Sequence, residues 1–222
     1  MTRRSLMPVR KLRDDAALWQ NYKRQSIQQA VIRLMCREGL KSVTMERVAQ
    51  EVGIAKGTVY LHYRDKQQLL DDVKESALAP MIAKVDEVFA CESTPERKLQ
   101  AYSQRYLAYF DEHRELFRIL LYEREVVRVQ HSRYRGDRYK HLVEEVAKVI
   151  DEGMRIGSFR QVDTQHVAAM FVESNFAMLN QRLVTDKPRP VEDDADTISD
   201  LFIRGLRPLD DEEVLPRRRN LH

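Results

Sequence analysis

Residues 44–70 read TMERVAQEVGIAKGTVYLHYRDKQQLL, and this stretch decides the fold. Met45, Val48, Ala49 and Val52 recur at i, i+3, i+4 and i+7, which places them on one face of a helix. Gly53 ends that helix, because glycine enters the left-handed cap conformation without a Cβ penalty. A second short helix is predicted from about Lys56, with Val59 and Tyr63 turned inward. Two helices joined by a turn of three or four residues containing a Gly form a helix-turn-helix unit. Such a unit lays its second helix in the major groove of DNA. Lys56, Gly57, Thr58, Tyr60 and His62 remain for the outer surface. Four of these are donors suited to phosphates and base edges, and Gly57 lets the backbone come close. Asp65 and Gln68 form a capping-box-like D-x-x-Q pair that opens a third helix. Lys66 then falls in the first turn of that helix, where a cation opposes the dipole and a docked phosphate would explain it. Thr44 is the expected N-cap of the first helix of the unit. Arg47 denies it a full capping box, and Thr44 is also read as a phosphate contact.

Upstream, Ile27, Ala30, Val31, Leu34 and Met35 form the apolar stripe of a preceding helix that Gly39 closes. Residues 1 to about 15 lack periodicity and carry Arg3, Arg4, Arg10, Lys11 and Arg13, so they are expected to form a flexible basic arm. The charge is unevenly spread. The overall net charge is +3, but residues 1–66 carry +8 and the remainder −5. A basic head on an acidic body is the electrostatic footprint of a nucleic-acid-binding domain joined to something else.

The segment from about Asn21 to Ala83 resembles the DNA-binding domain of the TetR (tetracycline repressor) family. The resemblance rests on Gly39, Thr44, Val48, Ala49, Gly53, Ile54, Ala55, Gly57, Thr58, Val59, Tyr60, His62, Tyr63, Asp65, Lys66 and Leu69 at fixed offsets. Tyr63 stands where Phe is usual and Gln67 where Glu is usual, and neither departure touches the expected DNA face. The resemblance implies a homodimer joined through its last two helices and a small-molecule effector in the body. The effector would tilt the fourth helix and change the distance between the reading heads.

The body reads as helical throughout, with no strand pattern and no internal repeat. The fourth helix is expected over Lys66 to about Ala90, with Pro80 kinking it or ending it early. Thr94-Pro95-Glu96 opens a fifth, to about His113, as N-cap, N1 proline and acidic first turn. A sixth covers about Arg114 to Val129, a seventh ends near Arg155 before Gly157, an eighth starts at Asp163 or Thr164, and a ninth spans about Asp193 to Leu206. The expected division is a basic arm over 1–15, a DNA-binding domain over 16–83, a ligand-binding and dimerisation domain over 84–207 and a disordered tail over 208–222. The fold class is all-α, with about nine helices.

Within the body, Tyr102, Tyr106, Phe110 and Phe117 crowd one stretch at helical spacing, which fits a packed core or the wall of a ligand cavity. Phe171, Asn175 and Met178 on the eighth helix and His141 on the seventh complete the candidate lining. Asn175 and His141 are its orienting polar groups. The candidate dimer face comprises Met170, Ala177 and Gln181 on the eighth helix with Ile198, Leu201 and Phe202 on the ninth. A two-fold dimer is the commonest oligomer and suits the reading of a palindrome.

Other chemistries are poorly served. Two cysteines, Cys36 and Cys91, and six histidines show no metal-ligand spacing, and no nucleophile elbow or phosphate loop is present. No enzyme and no cofactor is expected. No run approaches the roughly 20 apolar residues of a membrane span, and the basic N-terminus has no hydrophobic core of a signal peptide, so a cytoplasmic protein is expected. The sequence thus predicts a dimeric repressor that a small apolar or aromatic ligand releases from a palindromic operator. The alternative is a DNA-bound structural or division-control protein on the same fold without an inducer.

Overall fold

The apolar stripes read above become buried faces of helices in a computed structural model. It describes residues 9–122 and 137–208, and side chains for 18–119 and 137–208. The α-helices are α1 (Val9–Glu38), α2 (Met45–Val52), α3 (Lys56–His62), α4 (Lys66–Ala90), α5 (Pro95–Glu112), α6 (Arg114–Tyr122), α7 (Asp137–Arg155), α8 (Thr164–Val184) and α9 (Val191–Leu206). A 3-10 turn over Leu40–Ser42 links α1 to α2. No strand occurs among the described residues. The chain divides into two compact units within α4, between Leu78 and Ala79, with residues 119–122 grouped with the first.

In the first unit α1 packs on α2, and α2 on α3. Ile27, Ala30, Val31, Leu34 and Met35 are all at most 1% exposed, as their spacing requires. Leu69, Leu70 and Val73 of α4 join them in the core. Gly39 and Gly53 both have positive φ, 81° and 78°, which is the backbone reason for glycine after α1 and α2. The start of α1 corrects the reading of the N-terminus, since the helix begins at Val9 and takes in residues expected to form the arm. The stretch 9–38 contains no Gly or Pro and is rich in Arg, Lys, Leu, Ala and Gln, so intrinsic propensity carries the helix upstream of the buried stripe. The rest of the arm lies outside the described residues.

Lys74 is an anomaly in this core. It sits on α4 with only 5% exposure, and burial pushes its ammonium pKa down to about 8, opposed by Asp71 and Glu75. A base whose folded pKa is depressed carries a penalty at pH below that value. The penalty is relieved as pH rises from about 8 towards the unfolded value of 10.5. Lys74→Met should therefore stabilise the protein by about 2 kcal/mol at pH 7, and the gain over wild type should shrink by pH 10. Paired urea titrations at the two pH values measure this. A gain that is absent, or equal at both, would contradict it.

In the second unit α5 lies against α9, α7 and α8, while α8 also packs on α7 and α9. The starts of α5 and α8 are capped as their sequences foretell. Thr94 accepts from the Arg97 amide at 3.4 Å and Asp163 from the His166 amide at 3.0 Å. α4 runs on through Pro80 to Ala90 and is not ended by it, with Ala77, Leu78 and Ala79 before it supplying strong helix formers. The ring of Phe159, 2% exposed, occupies the space beside Gly153 so closely that a Cβ there would lie 2.1 Å from its Cδ2. The later part of the sixth predicted helix and all but Pro208 of the tail predicted over 208–222 lie outside the described residues.

Candidate nucleic-acid interface

Local capping fixes both ends of α2 before any packing is considered. Thr44 caps α2 by accepting the Arg47 amide at 3.2 Å. The Arg47 side chain turns back to Glu38 at 2.5 Å, and Arg33 and Arg37 both reach Glu51 on α2, at 3.2 and 3.1 Å. Gly53 then takes the left-handed conformation, and its amide bonds to Ala49 and Gln50. α3 follows after Ile54 and Ala55, with Val59 fully buried and Tyr63 2% exposed.

The opposite side of α3 is open. Lys56, Gly57, Tyr60 and Leu61 are exposed, and Thr58 and His62 are half-buried. Lys56 is not an idle donor, because its ammonium pairs with Glu46 of α2 and lies 5.6 Å from the Tyr60 ring centroid. Lys66 also has a protein partner. Its Nζ donates to the Leu40 carbonyl at 3.3 Å, which offsets the unfavourable place of a cation in the first turn of α4. An ammonium has three donors, so among the described residues two remain. The cap of α4 is as read, with the Gln68 amide 2.8 Å from Asp65 Oδ1. The returning side-chain bond goes to the Arg64 amide, one residue earlier than a full capping box.

Sequence reading missed the group that holds α3 in place. The carboxylate of Asp72 on α4 accepts from Tyr63 Oη at 2.5 Å, Gln28 Nε2 at 2.6 Å and Arg24 Nε at 2.8 Å. One carboxylate thus ties the residue that closes α3 to α1 and α4. Burial opposes ionisation of Asp72, but Arg24, Tyr63 and Gln28 together hold it below the usual carboxylate range. Burial and the neighbouring Asp72 carboxylate raise the Tyr63 phenol, so it stays a donor. The hydroxyl that sets Tyr63 apart from Phe is used here.

These elements match a family model described as bacterial regulatory proteins, tetR family, over residues 27–73. A second model, tetracyclin repressor-like C-terminal domain, matches residues 92–181, and the two together span more than half of the chain. The chain belongs to the TetR family of transcriptional regulators. The family is one of DNA-binding regulators, which favours the regulator over the structural or division-control alternative. An uncharacterized HTH-type transcriptional regulator of Haemophilus influenzae is 34% identical over 65 residues, 29% of this chain and 35% of that protein. This TetR-family chain therefore spans about a third of that relative's length in the match. Among solved structures, a TetR transcription regulator from Haloarcula marismortui superposes with TM-score 0.70 at 21% identity, covering 85% of this chain and all of that one. The ketosteroid transcriptional regulator KstR2 of Mycobacterium tuberculosis gives TM-score 0.60 at 19% identity, covering 84% and 96%. Both likenesses concern the fold alone. No described helix is long and apolar enough to cross a membrane.

The candidate pocket residues of this TetR-family body are mostly drawn into one aromatic cluster. Tyr102 stacks on Tyr106 at 5.7 Å between centroids and on Phe89 at 5.8 Å, and tilts against Phe171 at 5.4 Å. Tyr106 continues to Phe110 at 4.9 Å, and Phe110 to Phe117 at 4.5 Å. Asn175 is fully buried, and its Nδ2 donates to the Phe171 carbonyl at 3.0 Å. Asn175 Oδ1 and Tyr102 Oη have no hydrogen-bond partner among the described residues. Met178 is half-buried. His141 departs from the expected lining. It is partly exposed and its Nε2 lies 2.7 Å from Asp86 of α4, so a surface carboxylate answers its polarity.

The candidate dimer face divides. Met170, Ala177, Gln181 and Leu201 are exposed, and exposed Phe176 and Val184 extend their surface on α8. Ile198 is 5% exposed and lies in the core, and the ring of Phe202 packs edge-on against Phe171 at 5.1 Å. Ile198 is therefore spent on the protomer's own core, and Phe202, half-buried, turns its ring to Phe171.

Proposed function

We propose that this TetR-family protein is a repressor that reads a palindromic operator with α3 as a homodimer and leaves it when the body binds a small, mainly apolar or aromatic molecule. The observation that carries the reading is the open face of α3, Lys56, Gly57, Thr58, Tyr60 and His62, on a helix clamped by α1, α2 and α4. Lys56 and Thr58 are assigned to base edges, and Thr44, Tyr60 and two donors of Lys66 to phosphates. The Lys56–Glu46 pair is exposed and exchanges readily for a contact to DNA. For the effector, support comes from the aromatic cluster of α5 and α8 and its two unpartnered polar atoms, Tyr102 Oη and Asn175 Oδ1. An effector lowers operator affinity only by as much as it prefers the DNA-free state, and DNA must weaken its binding equally.

Duplex binding across a salt series tests the DNA assignment. Lys66→Ala should weaken specific and random duplexes alike and reduce the slope of log K against log salt by about one unit. Lys56→Ala should cost the specific duplex more than the random one. An unchanged slope for Lys66→Ala would remove it from the phosphate contacts.

A further inference from the structure

We infer that Leu61 is a specificity-determining residue of this regulator and that it reads the C5-methyl group of a thymine in each half-site. The inference rests on the DNA-binding function proposed above and adds a residue and a base to it. Leu61 is 84% exposed, although leucine contributes more to stability when buried. It stands four residues after Gly57, so the two share a strip of α3, and Gly57 projects nothing that would keep that strip from a surface. Val59 and Tyr63, on the other side of the helix, are buried. Leu61 therefore lies on the outward face of α3, with the donors Tyr60 and His62 as its chain neighbours.

The end of the helix that carries it is anchored. Tyr63, two residues on, is held by the Asp72 carboxylate, which is itself anchored by Arg24 and Gln28 of α1. An exposed apolar group on a rigid reading helix has one complementary feature in the major groove. Adenine, guanine and cytosine present donors and acceptors there, and only thymine adds a methyl group. A leucine makes no hydrogen bond to a phosphate or a base edge, so the base it favours is the one whose methyl adds apolar contact.

The test uses the full chain and a duplex recovered by selection from a random library. Each thymine is replaced in turn by uracil, which removes the methyl and leaves the pairing edge intact. Wild-type protein should lose about 4-fold in affinity at one symmetric thymine per half-site, the worth of about one buried methyl group. Leu61→Ala keeps a helix-forming residue at an exposed position. It should bind the thymine duplex about as weakly as wild type binds the uracil duplex, and it should show no further loss with uracil. Wild-type affinity indifferent to every uracil would overturn the inference. So would a Leu61→Ala protein that keeps the full thymine preference. Both results leave the regulator reading standing, whereas wild-type protein with no preference for any duplex would overturn that reading as well.

Discussion

Replacing Arg182 by Met is expected to lower the unfolding free energy by about 3–5 kcal/mol. Arg182, on α8, has a side chain only 4% exposed and gathers the start of α9 and the end of α5 around it. Its guanidinium bonds to Asp194 at 2.5 Å, to Asp111 at 2.8 Å and to the Arg189 carbonyl at 2.9 Å. Asp194 is 6% exposed at its side chain and among the described residues would keep Arg189, itself largely exposed. A buried pair adds little net stability over apolar residues of the same shape, but removing one partner leaves the other's buried charge poorly compensated, here by the exposed Arg189. The exposed Arg204–Asp200 pair is the control, and its loss should leave the midpoint nearly unchanged. Urea unfolding of both variants measures the difference. Equal midpoints would show that the Arg182 network does not hold α8 and α9 to α5.

A Met170→Glu, Leu201→Glu variant is expected to be monomeric and to lose about 10²- to 10⁴-fold in affinity for the palindrome. Both residues are large, apolar and exposed, at 51% and 67%. A two-fold interface repeats each substitution, so four carboxylates would enter one apolar seam. The loss in DNA affinity follows because the second half-site is no longer presented at a high effective concentration. Phe202→Asp should act differently. It removes the ring that packs on Phe171 and destabilises the protomer itself. Light scattering separates the two cases, and an intact dimer for the double glutamate variant would place the seam elsewhere.

The DNA-reading unit was legible because its signals are local. The stripe over Met45–Val52, the cap at Thr44, the turn at Gly53 and the inward pair Val59 and Tyr63 all lie within 20 residues, and each has its own backbone reason. The Asp72 clip was not legible. Its donors stand 9, 44 and 48 residues away, and nothing in a single sequence pairs them. Periodicity shows which residues share a helix face but not what covers it. Ile198 and Phe202 share a stripe with residues of α9 that face inward, and spacing alone does not separate a dimer seam from a face turned to the protomer's own core. The first two turns of α1 went unread for a related reason. A helix that begins ahead of its apolar stripe has no period to detect, although its composition favours it.

Selection from random duplexes, followed by mass measurement of the complex, shows whether two copies of this chain read a palindrome through α3. The account predicts enrichment of a palindrome, two protomers per half-site pair or a multiple of two, and half-site centres about 34–36 Å apart or a multiple of that spacing. Recovery of no preferred sequence, or of an asymmetric site held by a single protomer, would contradict it.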